Sequence, residues 1–118
     1  MATRAVVTEI LGERTTRFTW SGLLNGDDGA PIEWAAYADR SVQVLGTFGA
    51  GGSAQMEGSN TDGSLNFIPL TDPQGNALTF TSGRIEQLEE LTKQVRPHVT
   101  AGDGTTNLTV VVLARRGF

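Results

Sequence analysis

The residues able to carry chemistry in this chain are few and scattered. His98 is the single histidine, and there is no cysteine. A Ser–His–Asp triad would need that imidazole beside a serine and an acid, and no nucleophile-elbow motif accompanies the serines. His98 follows Pro97 in a strand-like context, which marks it as a surface or packing residue. One histidine without cysteine also excludes the usual zinc spacings. Asn25, Asp27 and Asp28 stand close together, but the glycine and the distal acid of a calcium-binding EF-hand loop are missing. Asp62, Asp72 and Asp103 fall in separate turns, where each carboxylate is expected to hydrogen-bond its own backbone. Glu86, Glu89 and Glu90 read as a solvated acidic face, because no second acidic pair with defined geometry accompanies them. The run Gly49-Ala50-Gly51-Gly52 lacks the Gly-Lys-Ser/Thr ending and the helix of a phosphate loop. Asn107-Leu108-Thr109 matches a glycosylation acceptor but opens a strand. The expectation is therefore no catalytic residue, no metal and no cofactor.

The elements that must position these residues are β-strands. The chain has 118 residues, enough for one domain with one core. Its 15 glycines cluster with Asp, Asn, Ser and Thr. Asn25-Gly26, Asp28-Gly29, Asp62-Gly63, Gly75-Asn76 and Asp103-Gly104 are turn signals, since Gly, Asn and Asp tolerate positive φ. In the stretch MEGSNTDGSLNFIPL, residues 56–70, the knot from Asn60 to Gly63 is expected to be a hairpin corner. From Leu108 to Ala114, apolar residues alternate onto both faces, which predicts an inner strand covered on both sides. Residues 41–48, 54–58, 66–70, 77–81 and 95–100 complete the predicted strands. Pro97 lacks an N–H and is expected at an edge or a bulge. Between Arg84 and Thr92, Ile85, Leu88 and Leu91 recur at i+3, which fits a short helical turn or an irregular acidic loop. Turn signals every 8 to 15 residues or so predict an all-β antiparallel sandwich or jelly roll with a less regular N-terminal segment.

Residues 1–40 are read as an N-terminal arm or first strands with inter-subunit contacts, and residues 41–118 as the sandwich body. Half of the eight aromatics lie in the first part. Aromatics and arginine favour interface centres. Arg14, Arg17, Phe18, Trp20, Trp34 and Tyr37 are accordingly the candidate adhesive, against ordinary sandwich core for the aromatics.

Charge narrows the partners. The formal net charge is −4 and the pI about 4.8. Nucleic acid is not an expected partner, because phosphate recognition needs a dense cationic face. No run approaches the ~20 apolar residues of a membrane span, and Met1-Ala2-Thr3-Arg4 does not open a signal peptide. The expectation is a soluble chain made in the host cytoplasm.

The runs EGSNTDGSLNFIPLTDPQGNALTFT, residues 57–81, and VRPHVTAGDGTTNLTVVVLARR, residues 95–116, resemble small virion proteins of tailed bacteriophages, over about residues 42–116. The resemblance implies a capsid decoration, or cement, protein on the capsid exterior. It implies the major capsid protein as partner, homo-oligomers such as dimers or trimers, and no enzymatic activity. A carbohydrate-binding module of a tail or fibre, with Trp20, Trp34 and Tyr37 as a stacking platform, and a neck or tail structural protein are the alternatives.

Overall fold

A computed structural model describes residues 1–63 and 66–117. In chain order the strands are β1 (Thr3–Arg4), β2 (Val6–Ile10), β3 (Thr15–Leu23), β4 (Asp28–Gly29), β5 (Ile32–Glu33), β6 (Asp39–Thr47), β7 (Ser53–Ser59), β8 (Ile68–Pro69), β9 (Thr79–Phe80), β10 (Arg84–Gln87), β11 (Gln94–Ala101) and β12 (Asn107–Arg115). They form two sheets. One runs β1-β4-β11-β7-β8, with β5 beside β11 and β9 beside β7; the other runs β10-β6-β12-β3-β2. Every pairing is antiparallel except β1 with β4. The fold is the all-β sandwich that the turn spacing predicts.

Period-two alternation explains the layers. Phe18 and Trp20 on β3, Val42 and Val44 on β6, and Leu108, Val110, Val112 and Ala114 on β12 point inward from one sheet. Ala54 and Met56 on β7 and Val95 and Val99 on β11 meet them from the other. Trp20, Trp34 and Phe80 fill the middle and are fully buried. Burying each large apolar side chain contributes about 1.5–3 kcal/mol.

Residues 1–40 supply strands to both sheets. β3 lies between β12 and β2, with Val112 opposite Phe18 and Val110 opposite Trp20. The main chain of Ala2 and Leu24 and the side chain of Arg4 are tied down by one acid. Asp27 is buried and accepts hydrogen bonds from the N–H groups of Ala2 and Leu24, both at 2.9 Å, and from Arg4 Nε at 2.7 Å. Burial alone would push the Asp27 pKa up; these donors outweigh it and hold the carboxyl below its ordinary value. Residues 1–40 thus take part in the sandwich as its first strands.

Three local expectations are corrected. Residues 84–87 form β10, paired with β6, rather than a helical turn. Leu88 is buried while Ile85 and Leu91 are exposed, so the i+3 spacing carries no common face. Pro97 lies inside β11, opposite Met56. The N–H and C=O of Met56 bond Leu78 and Leu70 instead of β11. On its other side Pro97 lies against Gly29 of β4, so it sits within the sheet and not at an edge. Third, Val111 and Leu113 on the second face of β12 are not covered by this chain: Leu113 is 43% exposed.

The knot from Asn60 to Gly63 does turn β7 back toward β8, with Gly63 at φ +93°. Ser64 and Leu65 lie outside the described residues. The predicted strand over 66–70 is reduced to Ile68–Pro69. Asp28-Gly29, expected as a turn, is instead strand β4.

Candidate functional site

The six candidate interface residues separate into two groups. Phe18, Trp20 and Trp34 are buried in the sandwich. Phe18 packs edge-on to Tyr37, with ring centroids 5.9 Å apart. Trp20 Nε1 donates to Ala30 O at 2.9 Å, and Trp34 Nε1 donates to Thr92 Oγ1 at 2.8 Å. Tyr37 is half-buried and donates through its hydroxyl to Thr16 Oγ1 at 3.2 Å. The aromatics of the N-terminal third are core, and their indole N–H groups are used up inside the fold. Only Arg14 and Arg17 point outward. The signal that separates the groups was present: Thr16, Phe18 and Trp20 alternate with Arg17 and Thr19.

Arg40 adds a cation to this interior. Its guanidinium lies 4.1 Å from the centroid of the Trp34 ring, and Nη2 donates to Glu89 O at 3.3 Å. Burial lowers its pKa from the ordinary value.

Two of the three acids expected to bond their own turn backbone, Asp72 and Asp103, do so, and Asp62 has a side-chain partner from outside its turn. Asp72 Oδ1 accepts the N–H groups of Gln74 and Asn76 at 3.0 and 2.9 Å. Asp62 pairs with Lys93. Asp103 Oδ1 accepts from the N–H and hydroxyl of Thr105 at 2.8 and 2.6 Å, and Oδ2 accepts from Ala50 N–H at 2.9 Å. The Thr105 hydroxyl, then the backbone donors of Ala50 and Thr105, bring the Asp103 pKa down to about 2. Asp103 thus binds its own turn to the glycine-rich loop at 49–52.

His98 does have an acid beside it, which sequence alone did not reveal. On the outer face of the first sheet, cross-strand register sets Arg96 opposite Glu57 and His98 opposite Gln55. Glu57 is 5% exposed. Its Oε2 accepts from His98 Nδ1 at 2.9 Å and from Gln55 Nε2 at 2.6 Å; its Oε1 accepts from Arg96 Nε at 3.0 Å. Arg96 also reaches Asp28 at 3.3 Å and stacks over Phe67 at 4.2 Å. An orienting carboxylate on an imidazole has the form of a catalytic dyad. Here the same carboxylate is saturated by an arginine and a glutamine, so the group works as a clamp across β7, β11 and β4.

The surplus chemistry lies on the outer face of the β10-β6-β12-β3-β2 sheet. Val7, Leu11, Leu45, Ile85 and Leu113 are all exposed there. A shallow groove of about 590 Å³ crosses this face between β2 and β10. Glu9 and Arg17 pair across it at 3.0 Å, and Asp39 and Arg115 pair at its end at 2.7 Å. The Arg17 hydrogen bond and charge lower the Glu9 pKa from its ordinary value. This face can bind a flat, largely apolar surface. Among the described residues no helix is long and apolar enough to cross a membrane.

No protein-family model matches the chain, and no curated protein matches it in sequence. Solved structures do match in fold. The SPBc2 prophage-derived protein YomS is similar at TM-score 0.64 and 10% identity, over 90% of this chain and 98% of that one. A cupin domain from Bordetella pertussis Tohama I is similar at TM-score 0.55 and 16% identity, over 98% and 96%. The shared feature is the β-sandwich of jelly-roll type.

Proposed function

We propose that this chain is a structural protein of a bacteriophage particle that binds the outside of the capsid and stabilises the shell by bridging neighbouring capsid subunits. The observation that carries the reading is the division of labour in the sandwich. Its interior is filled by Trp20, Trp34 and Phe80, the turn acids Asp72 and Asp103 satisfy their own backbones, and its unspent apolar surface faces outward. Such a body suits adhesion without catalysis. The fold likeness to a prophage-derived protein supports a phage origin.

The mechanism is multivalent clamping. Each contact of a small subunit with the major capsid protein is modest, but a subunit that touches two of them at once dissociates only when both contacts break. Arg14 and Arg17 lie toward the surface, Arg17 paired with Glu9, whereas Phe18, Trp20 and Trp34 are buried. The carbohydrate-binding reading rested on Trp20, Trp34 and Tyr37 as an exposed platform, and with both tryptophans interior no observation favours it.

The test is to purify particles of the phage that encodes the chain. The chain is expected at a copy number on the scale of the major capsid protein, with electron-microscopic density outside the shell. Absence from the particle overturns the proposal. A copy number that fits one ring at the portal replaces it with the neck or tail role.

A further inference from the structure

We infer that the outer face of the five-stranded sheet is a self-association surface, on which a second copy of this chain packs face to face about a two-fold axis parallel to β12. This inference concerns the isolated protein and assigns to a second copy the outer apolar face on which the capsid reading also draws.

The size of the face is the first argument. At about 4.8 Å between strands and ~3.3 Å per residue, the five strands mark out a plane of about 600 Å². Side-chain relief raises this toward the ~800 Å² that each partner of a standard interface contributes. The second argument is charge. The whole chain carries −4, so two copies repel one another over most of their surfaces. The charged residues of this face, Glu9 with Arg17 and Asp39 with Arg115, cancel in pairs. The excess acid lies elsewhere, and a neutral face is where like molecules meet without that repulsion.

The third argument is the register, which makes the face complementary to itself. One cross-strand row reads Ile85, Gln43, Val111, Thr19, Val7. The next reads Gln87, Ser41, Leu113, Arg17, Glu9. A two-fold axis parallel to β12 lays each row on its own reverse, as an isologous contact requires. Val111 then meets Val111 and Leu113 meets Leu113. Ile85 at one rim meets Val7 at the other, while Gln87 reaches Glu9 and Ser41 reaches Arg17. In these two rows every juxtaposition is apolar on apolar or hydrogen-bonding; in the next row Arg115 stands on the axis facing its own copy, and each guanidinium is neutralised there by its own Asp39. The apolar second face of β12, which the sequence pattern predicts to be covered, is covered in this arrangement.

Sedimentation over a range of concentrations tests the inference. The wild type is expected at twice the 12.5 kDa chain mass. Val111→Lys sets two ammonium groups against each other on the axis and is expected to weaken the dimer by about a hundredfold or more. Ile85→Lys changes an edge residue that is 61% exposed, so it leaves the fold intact and is also expected to weaken the dimer. Ile68→Lys, exposed on the other sheet, is expected to leave it unchanged. Circular dichroism checks that each variant is folded; should Val111→Lys unfold, Ile85→Lys decides. A wild type that stays monomeric, a trimer, a dimer that survives Ile85→Lys, or one lost with Ile68→Lys but not with Ile85→Lys overturns the inference.

Discussion

Gly29 lies so close to the indole of Trp20 that a Cβ built on it would stand 2.5 Å from Cδ1 and 2.6 Å from Nε1. The same Cβ would come within 2.7 Å of Pro97 Cδ. Gly29 is in a strand and does not have a positive φ, so its value is the close approach and not a turn. Gly29→Ala is therefore expected to overpack the core and cost about 1–3 kcal/mol in urea unfolding. An unchanged midpoint would mean that the indole has room to shift.

The place of β3 makes a prediction about truncation. Deleting residues 1–20 removes β1, β2 and most of β3, leaving Val110 and Val112 without their partners. The fragment is expected to lose its β-sheet signal in circular dichroism. The milder Trp20→Ala is expected to cost about 3–5 kcal/mol, a large share of the ~5–15 kcal/mol that holds a domain of this kind. A folded fragment would restore the idea of an independent arm.

Glu57 is the hub of three donors. Glu57→Ala leaves Arg96 and His98, whose side chains are 14% and 27% exposed, without their shared acceptor. The loss is expected to be about 3–5 kcal/mol, as for one partner removed from a buried pair. Glu57→Gln keeps the shape and one acceptor oxygen and is expected to cost less, about 1–3 kcal/mol. Thermal unfolding of the two variants side by side gives the order.

Asp103 should confer a pH dependence of known sign. Its folded pKa, about 2, lies below the ordinary 3.8. The stabilisation is complete above pH 3.8 and is lost as pH falls toward 2, because the unfolded chain takes up the proton first. Asp103→Asn is expected to lower the melting temperature at pH 7, and the difference from wild type is expected to shrink between pH 4 and pH 2. A constant difference across that range would assign the effect to the turn's geometry and not to its charge.

How much of this was legible in advance differs by residue. The strand at 107–115 is read directly from alternating Val and Leu, and the corner at 60–63 from Asn, Asp and Gly. Both are local properties. The burial of Trp20 and Trp34 was harder to read, because their neighbourhood mixes Arg, Thr and small residues and mimics an interface. The alternation of Phe18 and Trp20 with Arg17 and Thr19 was the better guide. Ile85, Leu88 and Leu91 misled because three positions suffice to imitate a helical period, while pairing with β6 decides the matter. The Glu57–His98–Arg96 cluster was out of reach. Its members meet only through the register of β7 against β11, which no short window encodes.

The pairing of Thr15 with Arg115 has a consequence for biogenesis. A nascent chain leaving the ribosome carries β3 and its tryptophan with no neighbour on one side until residues 107–115 clear the exit tunnel. So much non-local pairing implies slow closure, and the wait leaves a sticky strand open to the wrong associations. Expression at lower temperature, or with holding chaperones in excess, should raise the soluble yield without changing the finished molecule.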